Sequence, residues 1–128
     1  MGKSAKKILV IDDDDSVREL LVEVLQNEGY ELMSATDGMD GMNILKRGPI
    51  PDLILMDLRM PQMDGETFRH LQLENSRWVQ IPTILMTADD QINGKSLNMS
   101  AYLKKPIQLD ELLLNINFCL AKTKENSI

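Results

Sequence analysis

Residues 51–65 read Pro-Asp-Leu-Ile-Leu-Met-Asp-Leu-Arg-Met-Pro-Gln-Met-Asp-Gly. The continuous apolar run Leu53–Met56 is typical of a strand buried on both faces of a parallel sheet. The run stops at Asp57, and Pro61 and Gly65 then mark a loop before the next helical pattern. The stretch therefore predicts a central strand whose carboxyl end carries an acidic residue.

The rest of the chain repeats this order of an apolar run followed by a helical pattern. Such alternation predicts βα units around a parallel sheet, and hence an α/β fold with a single doubly wound five-stranded sheet. The second strand is the most polar and is expected at an edge. The predicted strands are Lys7–Ile11, Tyr30–Ala35, Leu53–Met56, Thr83–Met86 and Ala101–Lys104.

Apolar residues at helical spacing predict which side chains of the helices face the core. Asp14 or Asp15 is expected to cap the first helix, and Gly29 to lie just past its end. Helices are also predicted over Glu66–Leu73 and Leu109–Lys122, and Trp78 is expected to be partly exposed. The predicted core positions are Val17, Leu20, Leu21, Val24 and Leu25 in the first helix, Met39, Met42 and Leu45 in the second, and Leu109, Leu112, Leu113, Ile116 and Leu120 in the last.

Composition and charge narrow the class of protein. A length of 128 residues suits one domain, with a core at about residues 7–122 and polar flexible ends. The net charge of −6 argues against direct binding to nucleic acid. No apolar run is long enough for a membrane span or a secretory signal. Because Cys119 is the single cysteine, the reducing cytoplasm is the expected compartment.

Polar residues stand where the apolar runs stop. Ligands of open α/β sheets bind beyond the carboxyl ends of the strands, so these side chains are expected to converge. Crowded carboxylates need a cation, and carboxylate oxygens suit Mg²⁺, with Mn²⁺ as an alternative ion. A carboxylate beside such an ion can accept a phosphoryl group, while a hydroxyl and an ammonium bind the phosphoryl oxygens. The set is Asp12, Asp13, Asp57, Thr87 and Lys105.

Each of these residues also has an ordinary structural role. An aspartate after a strand often caps a helix or forms a turn, which is the preferred interpretation of Asp14 and Asp15. Taken alone, Thr87 is more typical of a turn and Lys105 of a solvated surface. The functional interpretation depends on their joint occurrence at successive strand ends. An EF-hand is excluded, because the acidic run lacks the glycine that the sixth position of the loop requires.

Four motifs make the chain resemble the receiver domain of two-component response regulators, from about Lys7 to Leu120. They are Ile-Leu-Val-Ile-Asp-Asp at 8–13, the stretch 51–65, Ile-Leu-Met-Thr-Ala at 84–88 and Tyr-Leu-Lys-Lys-Pro at 102–106. The resemblance implies one receiver domain over residues 1–128, with strand order 2-1-3-4-5. It also implies a cis peptide bond before Pro106, which X–Pro bonds tolerate.

The resemblance assigns a role to each site residue. Asp57 is implied as the phosphoacceptor, Thr87 as the switch hydroxyl and Lys105 as the phosphate-binding lysine. Asp12 and Asp13 are implied as metal ligands together with Asp57 and the backbone carbonyl of Arg59. Tyr102 matches the aromatic residue that turns inward on activation. Leu114 and Phe118 lie off the core face of the last helix and are expected to form a partner surface with Tyr102.

The chain departs from the family between Thr87 and Lys105, which are only 18 positions apart, about one helical turn fewer than usual. The loss falls on the fourth helix, over Asp89–Met99, which is predicted to be short or irregular. Arg59 and Asp89 flank the site with opposite charges. They are expected to pair across its mouth and to lengthen the lifetime of a phosphoryl group by hindering water.

The sequence predicts a phosphorylation-activated signalling switch and no turnover enzyme. A sensor histidine kinase or a phosphotransfer protein is the expected donor. An unknown downstream protein is the expected target, reached by protein contact or phosphorelay. The chain is expected to be a monomer, with a phosphorylation-linked dimer as the alternative. A phosphorylation-independent adaptor is a second interpretation. A phosphatase of the haloacid-dehalogenase kind is a third, in which Asp13 is essential and Asp57 dispensable.

Overall fold

Five parallel strands form one sheet in the computed structural model, which describes residues 5–88 and 99–126, with side chains up to residue 122. The strand order is β2-β1-β3-β4-β5, so the predicted order is confirmed. The polar second strand lies at an edge and the most apolar strand lies at the centre, as predicted. The strands are β1 (Lys7–Ile11), β2 (Glu31–Ala35), β3 (Leu53–Asp57), β4 (Thr83–Thr87) and β5 (Ala101–Lys104).

Four helices occur among the described residues, and they cover both faces of the sheet. They are α1 (Asp15–Asn27), α2 (Gly38–Arg47), α3 (Gly65–Leu73) and α4 (Leu109–Asn126). The last helix continues to Asn126, beyond the predicted end at Lys122, and the flexibility of the chain's ends stays a prediction. The predicted fourth helix over Asp89–Met99 lies outside the described residues apart from Met99.

Each face of the sheet has its own apolar core. One joins β-strand side chains to Leu21 and Leu25 of α1 and to Leu112 and Ile116 of α4. The other joins the opposite face to α2 and α3, with Phe68 fully buried. Burial of each such side chain contributes roughly 1.5–3 kcal/mol. Both cores lie between the strands and the helices, which leaves the carboxyl edge of the sheet free for polar side chains.

An aspartate caps the amino terminus of each helix that follows one of the first three strands. Asp14 accepts hydrogen bonds from the N–H groups of Ser16 and Val17, and Asp37 and Asp64 cap α2 and α3 in the same way. Capping satisfies N–H groups that have no partner within the helix. Gly29, just past α1, has a φ of 98°, a conformation that favours glycine. The prediction for Asp14 and Gly29 is confirmed.

Several predicted burials are wrong. Leu20 of α1 is 54% exposed, and Met39 and Leu109 are also exposed, because each helix buries a narrower stripe than its apolar residues suggest. Trp78 is buried, because the turn after α3 folds it against the core beneath that helix. Cys119 is a buried core residue of α4 that the apolar pattern missed.

A buried polar network joins α3 to β4. The guanidinium of Arg69 donates to the Gln72 side-chain oxygen at 2.9 Å and to the Thr83 hydroxyl at 3.1 Å. The Gln72 amide in turn donates to the carbonyls of Trp78 and Ile81, at 3.1 and 3.0 Å. Burial lowers the pKa of Arg69, while the nearby Tyr102 raises it. The network fixes the α3–β4 connection to the sheet.

The Lys105–Pro106 peptide bond is cis, as the resemblance implied, and the Gly48–Pro49 bond is cis as well. Within residues 5–88 and 99–126, no helix combines the length and apolar character that crossing a membrane requires.

Candidate functional site

Three carboxylates meet at the carboxyl edge of the sheet, at the ends of β1 and β3. Asp12 and Asp13 follow β1, and Asp57 is the last residue of the adjacent central strand. One oxygen from each lies within 4.8 Å of the others. Asp12 is fully buried, Asp57 is 8% exposed and Asp13 is exposed. The sequence prediction that these residues converge is confirmed.

The Lys105 side chain reaches the same carboxylates from the end of β5. Its backbone N–H donates to the carbonyl of Thr87 at 2.9 Å, which holds the residue after β5 beside the end of β4. Its ammonium group lies 2.9 Å from Asp12 and 3.3 Å from Asp57. One ammonium against three carboxylates leaves an excess of two negative charges (three minus one) at the site. That excess matches the charge of a divalent cation.

Burial and neighbouring charges shift the pKa values of Asp57 and Lys105. Burial raises the pKa of Asp57, the charge of Lys105 lowers it and that of Asp12 raises it, so the pKa lies above its usual value. Burial lowers the pKa of Lys105, but the hydrogen bond and charge of Asp12 outweigh it, so this pKa is also raised. Lys105 therefore stays charged at neutral pH, while the ionised form of Asp57 is disfavoured by its surroundings.

The β1–α1 loop is held by contacts that the sequence did not reveal. The Asp14 N–H donates to one carboxylate oxygen of Asp12 at 2.9 Å. The Arg18 guanidinium donates to the backbone carbonyl of Asp12 at 2.8 Å and also to the carboxylate of Asp15. The spacing of Asp15 and Arg18 suggests an ion pair on a helix. No sequence pattern indicates that the same side chain reaches a backbone carbonyl.

Gly65 lies against the backbone at the end of β3, too close for a side chain to fit without displacing that backbone. A Cβ at this position would lie 2.7 Å from the Asp57 carbonyl oxygen and 3.0 Å from the Leu58 Cα, both backbone atoms. The Gly65 N–H donates to the Leu58 carbonyl at 2.8 Å, and the Leu58 N–H donates to the Asp57 carboxylate, also at 2.8 Å. The glycine thus allows the start of α3 to close on the turn that orients Asp57.

The remaining predicted site residues are placed as follows. Thr87 ends β4 and is buried at the same sheet edge, one position beyond the residue that pairs with Asp57. Arg59 is exposed in the loop after β3. The role of its carbonyl as a ligand stays a prediction. Asp89 lies outside the described residues, so the expected pair with Arg59 also stays a prediction.

The expected partner surface lies away from the acidic cluster. Leu114 and Phe118 of α4 are 70% and 65% exposed, and Tyr102 of β5 is 37% exposed. The Tyr102 hydroxyl accepts a hydrogen bond from the Met99 N–H at 3.1 Å. The expectation that Leu114 and Phe118 avoid the core is confirmed, and their role as a partner surface stays a prediction.

A cleft of about 320 Å³ opens at the opposite, amino-terminal edge of β4 and β5. Arg69, Pro82, Ser100 and Phe118 contribute to its lining, and none of the acidic residues does. The carboxylates therefore lie at the open sheet edge and not in this cleft.

The donor set fits a hard divalent cation. Asp12, Asp13 and Asp57 offer oxygen ligands only, and such ligands suit Mg²⁺ or Mn²⁺ more than a soft metal. Their oxygens are close enough to share one ion, and the exposed Asp13 leaves an open side for water or a phosphate oxygen. The three carboxylates could hold a metal ion, as in receivers.

The chain matches the family described as "Response regulator receiver domain" over residues 8–117. It is 36% identical over 123 residues to the response regulator MprA of Mycobacterium leprae, covering 92% of this chain and 52% of that protein. It is 33% identical over 121 residues to the "DNA-binding dual master transcriptional regulator RpaA" of Synechocystis, covering 91% and 50%. The chain thus spans about half the length of these curated relatives.

Solved structures agree with this match. A putative response regulator from Chloroflexus aurantiacus superposes with a TM-score of 0.86 at 29% identity, covering 92% of this chain and 99% of that one. The chemotaxis protein CheY4 of Vibrio cholerae superposes with a TM-score of 0.83 at 27% identity, covering 91% and 99%.

Proposed function

Because the chain belongs to the family of response regulator receiver domains, we propose that it is a phosphorylation-activated signalling switch with Asp57 as its phosphoacceptor. The observation that carries this proposal is the position of the Asp57 carboxylate. It lies at the end of the central strand, within 4.8 Å of two further carboxylates and 3.3 Å from a lysine ammonium. Phosphoryl transfer needs little beyond such positioning and charge neutralisation.

The proposed donor is a phosphohistidine of a sensor histidine kinase or a phosphotransfer protein. A carboxylate oxygen of Asp57 forms the new O–P bond as the P–N bond to the donor imidazole breaks, and the bonding electrons stay with that imidazole nitrogen. Such a mixed anhydride is the covalent product expected of a carboxylate nucleophile. The donor implies a cytoplasmic location. One relative, the "Sensor histidine kinase CheAY" of Helicobacter pylori, is 36% identical over 77% of this chain and 13% of that protein.

Mg²⁺, or alternatively Mn²⁺, would be held by Asp12, Asp13, Asp57 and the Arg59 carbonyl, and it would neutralise charge on the transferring phosphoryl oxygens. The Lys105 ammonium moves from its contact with the Asp57 carboxylate to a phosphoryl oxygen. Its second contact, at 2.9 Å to the buried Asp12, keeps it in place during that exchange. The Thr87 hydroxyl donates to another phosphoryl oxygen.

The proposed output is a change in protein contacts. Movement of Thr87 toward the phosphoryl group frees space for Tyr102 to turn inward, and this alters the surface that Tyr102 forms with Leu114 and Phe118. An unknown downstream protein or a phosphorelay partner reads that surface, without direct contact to nucleic acid. The chain itself is proposed to be a monomer and no turnover enzyme. If a Phe118→Ser variant bound the downstream protein as the wild type does, this surface would be excluded.

The lifetime of the phosphoryl group is proposed to depend on Arg59 and Asp89, which flank the site with opposite charges. An exposed pair contributes only about 0–1 kcal/mol, so its effect is to hinder water sterically. Asp89→Ala is expected to speed dephosphorylation. An unchanged rate would remove the pair from the mechanism.

Intact mass after incubation with acetyl phosphate tests the acceptor directly. We expect the wild type to gain one phosphoryl group in the presence of Mg²⁺ and none in chelator, because the crowded carboxylates repel a phosphate without a cation. Asp57→Asn is expected to gain none. Asp52→Asn is the matched control, since Asp52 directly precedes the same strand and its carboxylate accepts a hydrogen bond from the Lys7 N–H.

Two outcomes would contradict the proposal. A folded wild type that binds Mg²⁺ but gains no phosphoryl group from acetyl phosphate or from a histidine kinase would support an adaptor that keeps the fold alone. Release of phosphate from small phosphomonoesters, lost in Asp13→Asn but retained in Asp57→Asn, would support a phosphatase.

A further inference from the structure

Arg18 of α1 makes two contacts that join Asp12 and Asp15, the two ends of the acidic run at residues 12–15. Its side chain is only 13% exposed. One guanidinium nitrogen donates to the backbone carbonyl of Asp12 at 2.8 Å, and the other donates to the carboxylate of Asp15. Arginine suits this task because its planar fork presents several donors in a fixed geometry, which the single ammonium of lysine does not.

The residues between these two contacts include the exposed carboxylate of Asp13. Asp12 is fixed by Arg18 at its carbonyl, by the Asp14 N–H and the Lys105 ammonium at its carboxylate, and by its own N–H, which donates to the Ala35 carbonyl. Asp14 is fixed as the cap of α1. Among the described residues, no hydrogen bond holds the exposed carboxylate of Asp13. Its direction therefore depends on the shape of the loop that Arg18 closes.

We propose that Arg18 is a positioning residue for cation binding, which rests on the function proposed above. It fixes the backbone of Asp12 to the first turn of α1, so that the carboxylates of Asp12 and Asp13 face the same point as Asp57 before any ion arrives. Groups that orient metal ligands commonly change affinity without touching the metal.

Charge and position predict opposite effects for this residue. Arg18 is a cation next to a site for a cation, so through charge alone its removal would strengthen Mg²⁺ binding. Through position its removal would weaken binding, because the loop would lose the contact that aligns its carboxylates. The direction of the change in affinity therefore distinguishes the two roles.

Isothermal titration calorimetry with Mg²⁺ tests the proposal on the full chain. Arg18→Ala is expected to raise the Kd on the order of tenfold, as is typical of residues that orient metal ligands. Arg47→Ala is the matched control: it removes the same charge from the exposed last turn of α2, and its Kd is expected to match the wild type. An Arg18→Ala variant whose Kd equals or falls below the wild-type Kd would overturn the proposal.

Arg18→Lys keeps the test decisive if the alanine variant does not fold. It preserves the charge but can replace only one of the two donors, so an intermediate rise of about threefold in Kd is expected. An unchanged Kd would show that charge is sufficient and would also overturn the proposal. Thermal melts in chelator establish that each variant is folded before titration.

A double variant separates Arg18 from its ion partner. Asp15→Asn is expected to raise the Kd in the wild type but to have no further effect in the Arg18→Ala background, because Asp15 acts by holding Arg18. If the two substitutions had additive effects on the Kd, Asp15 would act through its own charge and not through Arg18, which would overturn the proposal. A wild type that does not bind Mg²⁺ would overturn the proposed function, whereas binding that is insensitive to Arg18 would overturn this inference alone.

Discussion

The surroundings of Asp57 disfavour the ionised form of its carboxyl group. Burial raises its pKa, and the neighbouring Asp12 adds to that effect, while Lys105 only partly compensates. A cation bound beside this carboxylate would favour its ionised form and offset the cost of burial. The same environment makes the unphosphorylated, metal-free state less stable than it could be.

Asp57→Asn is therefore expected to raise the free energy of unfolding at pH 7 in chelator. A carboxyl whose folded-state pKa is raised binds its proton in the native state first. Its unfavourable contribution is present above the folded-state pKa and is lost as pH falls through that value toward the ordinary value of 3.8. The advantage of the variant should thus shrink as pH is lowered through this window. Urea unfolding from pH 7 downwards measures it.

Glu23→Gln provides the control for this comparison, because Glu23 is an exposed carboxylate of α1 away from the acidic cluster. It is expected to leave the free energy of unfolding within about 0.5 kcal/mol of the wild type. If Asp57→Asn proved less stable than the wild type at pH 7, the ion pair with Lys105 would outweigh the cost of burial.

At the scale of elements, Gln72 ties α3 to the turn that leads into β4. It is fully buried, and its amide group contacts two backbone carbonyls, the Arg69 guanidinium and the Thr83 hydroxyl. These groups have given up water on folding, so each depends on its protein partner. The amide thus stabilises a connection that carries no regular secondary structure of its own.

Gln72→Met is expected to lower the free energy of unfolding by about 2–4 kcal/mol, because it preserves volume but leaves buried carbonyls and Arg69 donors without this partner. Urea denaturation of the purified variant measures the loss. Gln26→Met, an exposed position of α1, is the matched control and is expected to change stability by less than about 0.5 kcal/mol. A loss below about 1 kcal/mol at position 72 would mean that water replaces the amide.

These residues show what could be predicted from the sequence and what could not. Asp57 and Lys105 were predictable, because carboxyl ends of parallel strands share an edge whatever the details of packing. Gln72 was not, because three of its four contacts come from a turn and a strand that no local pattern brings together. The prediction that Trp78 is partly exposed was wrong because Trp78 lies in an irregular segment, where periodicity carries no information about burial.

Some predictions of which helix residues face the core were wrong for a different reason. Leu20 and Leu21 are adjacent apolar residues of α1, yet only Leu21 is buried, because helix position relative to the sheet decides which side of an apolar stripe is covered. Arg18 shows the converse. Its ion pair with Asp15 is a local feature of the helix, but its contact with the Asp12 carbonyl depends on how α1 meets β1.

For the molecule as a whole, the acidic site connects distant parts of the chain. Its groups come from the ends of β1, β3 and β5, so the cluster exists only when the sheet is assembled. The excess of two negative charges at that edge adds repulsion that opposes folding in the absence of a cation. A ligand of the site therefore stabilises the whole fold and not one segment of it.

Mg²⁺ is expected to raise the free energy of unfolding, and the gain grows with the logarithm of its free concentration once that concentration exceeds the Kd of the native site. At a free concentration of 100 times Kd, the gain is about 2.7 kcal/mol if the unfolded chain does not bind the ion. Thermal or urea unfolding across a Mg²⁺ series measures it, with NaCl at matched ionic strength as the control for screening of the net charge of −6. Asp13→Asn should lose most of the gain, because it removes the exposed ligand while leaving the pair of Lys105 and Asp12 intact. An equal gain from NaCl, or a full gain in Asp13→Asn, would mean that screening and not a bound cation relieves the repulsion among these carboxylates.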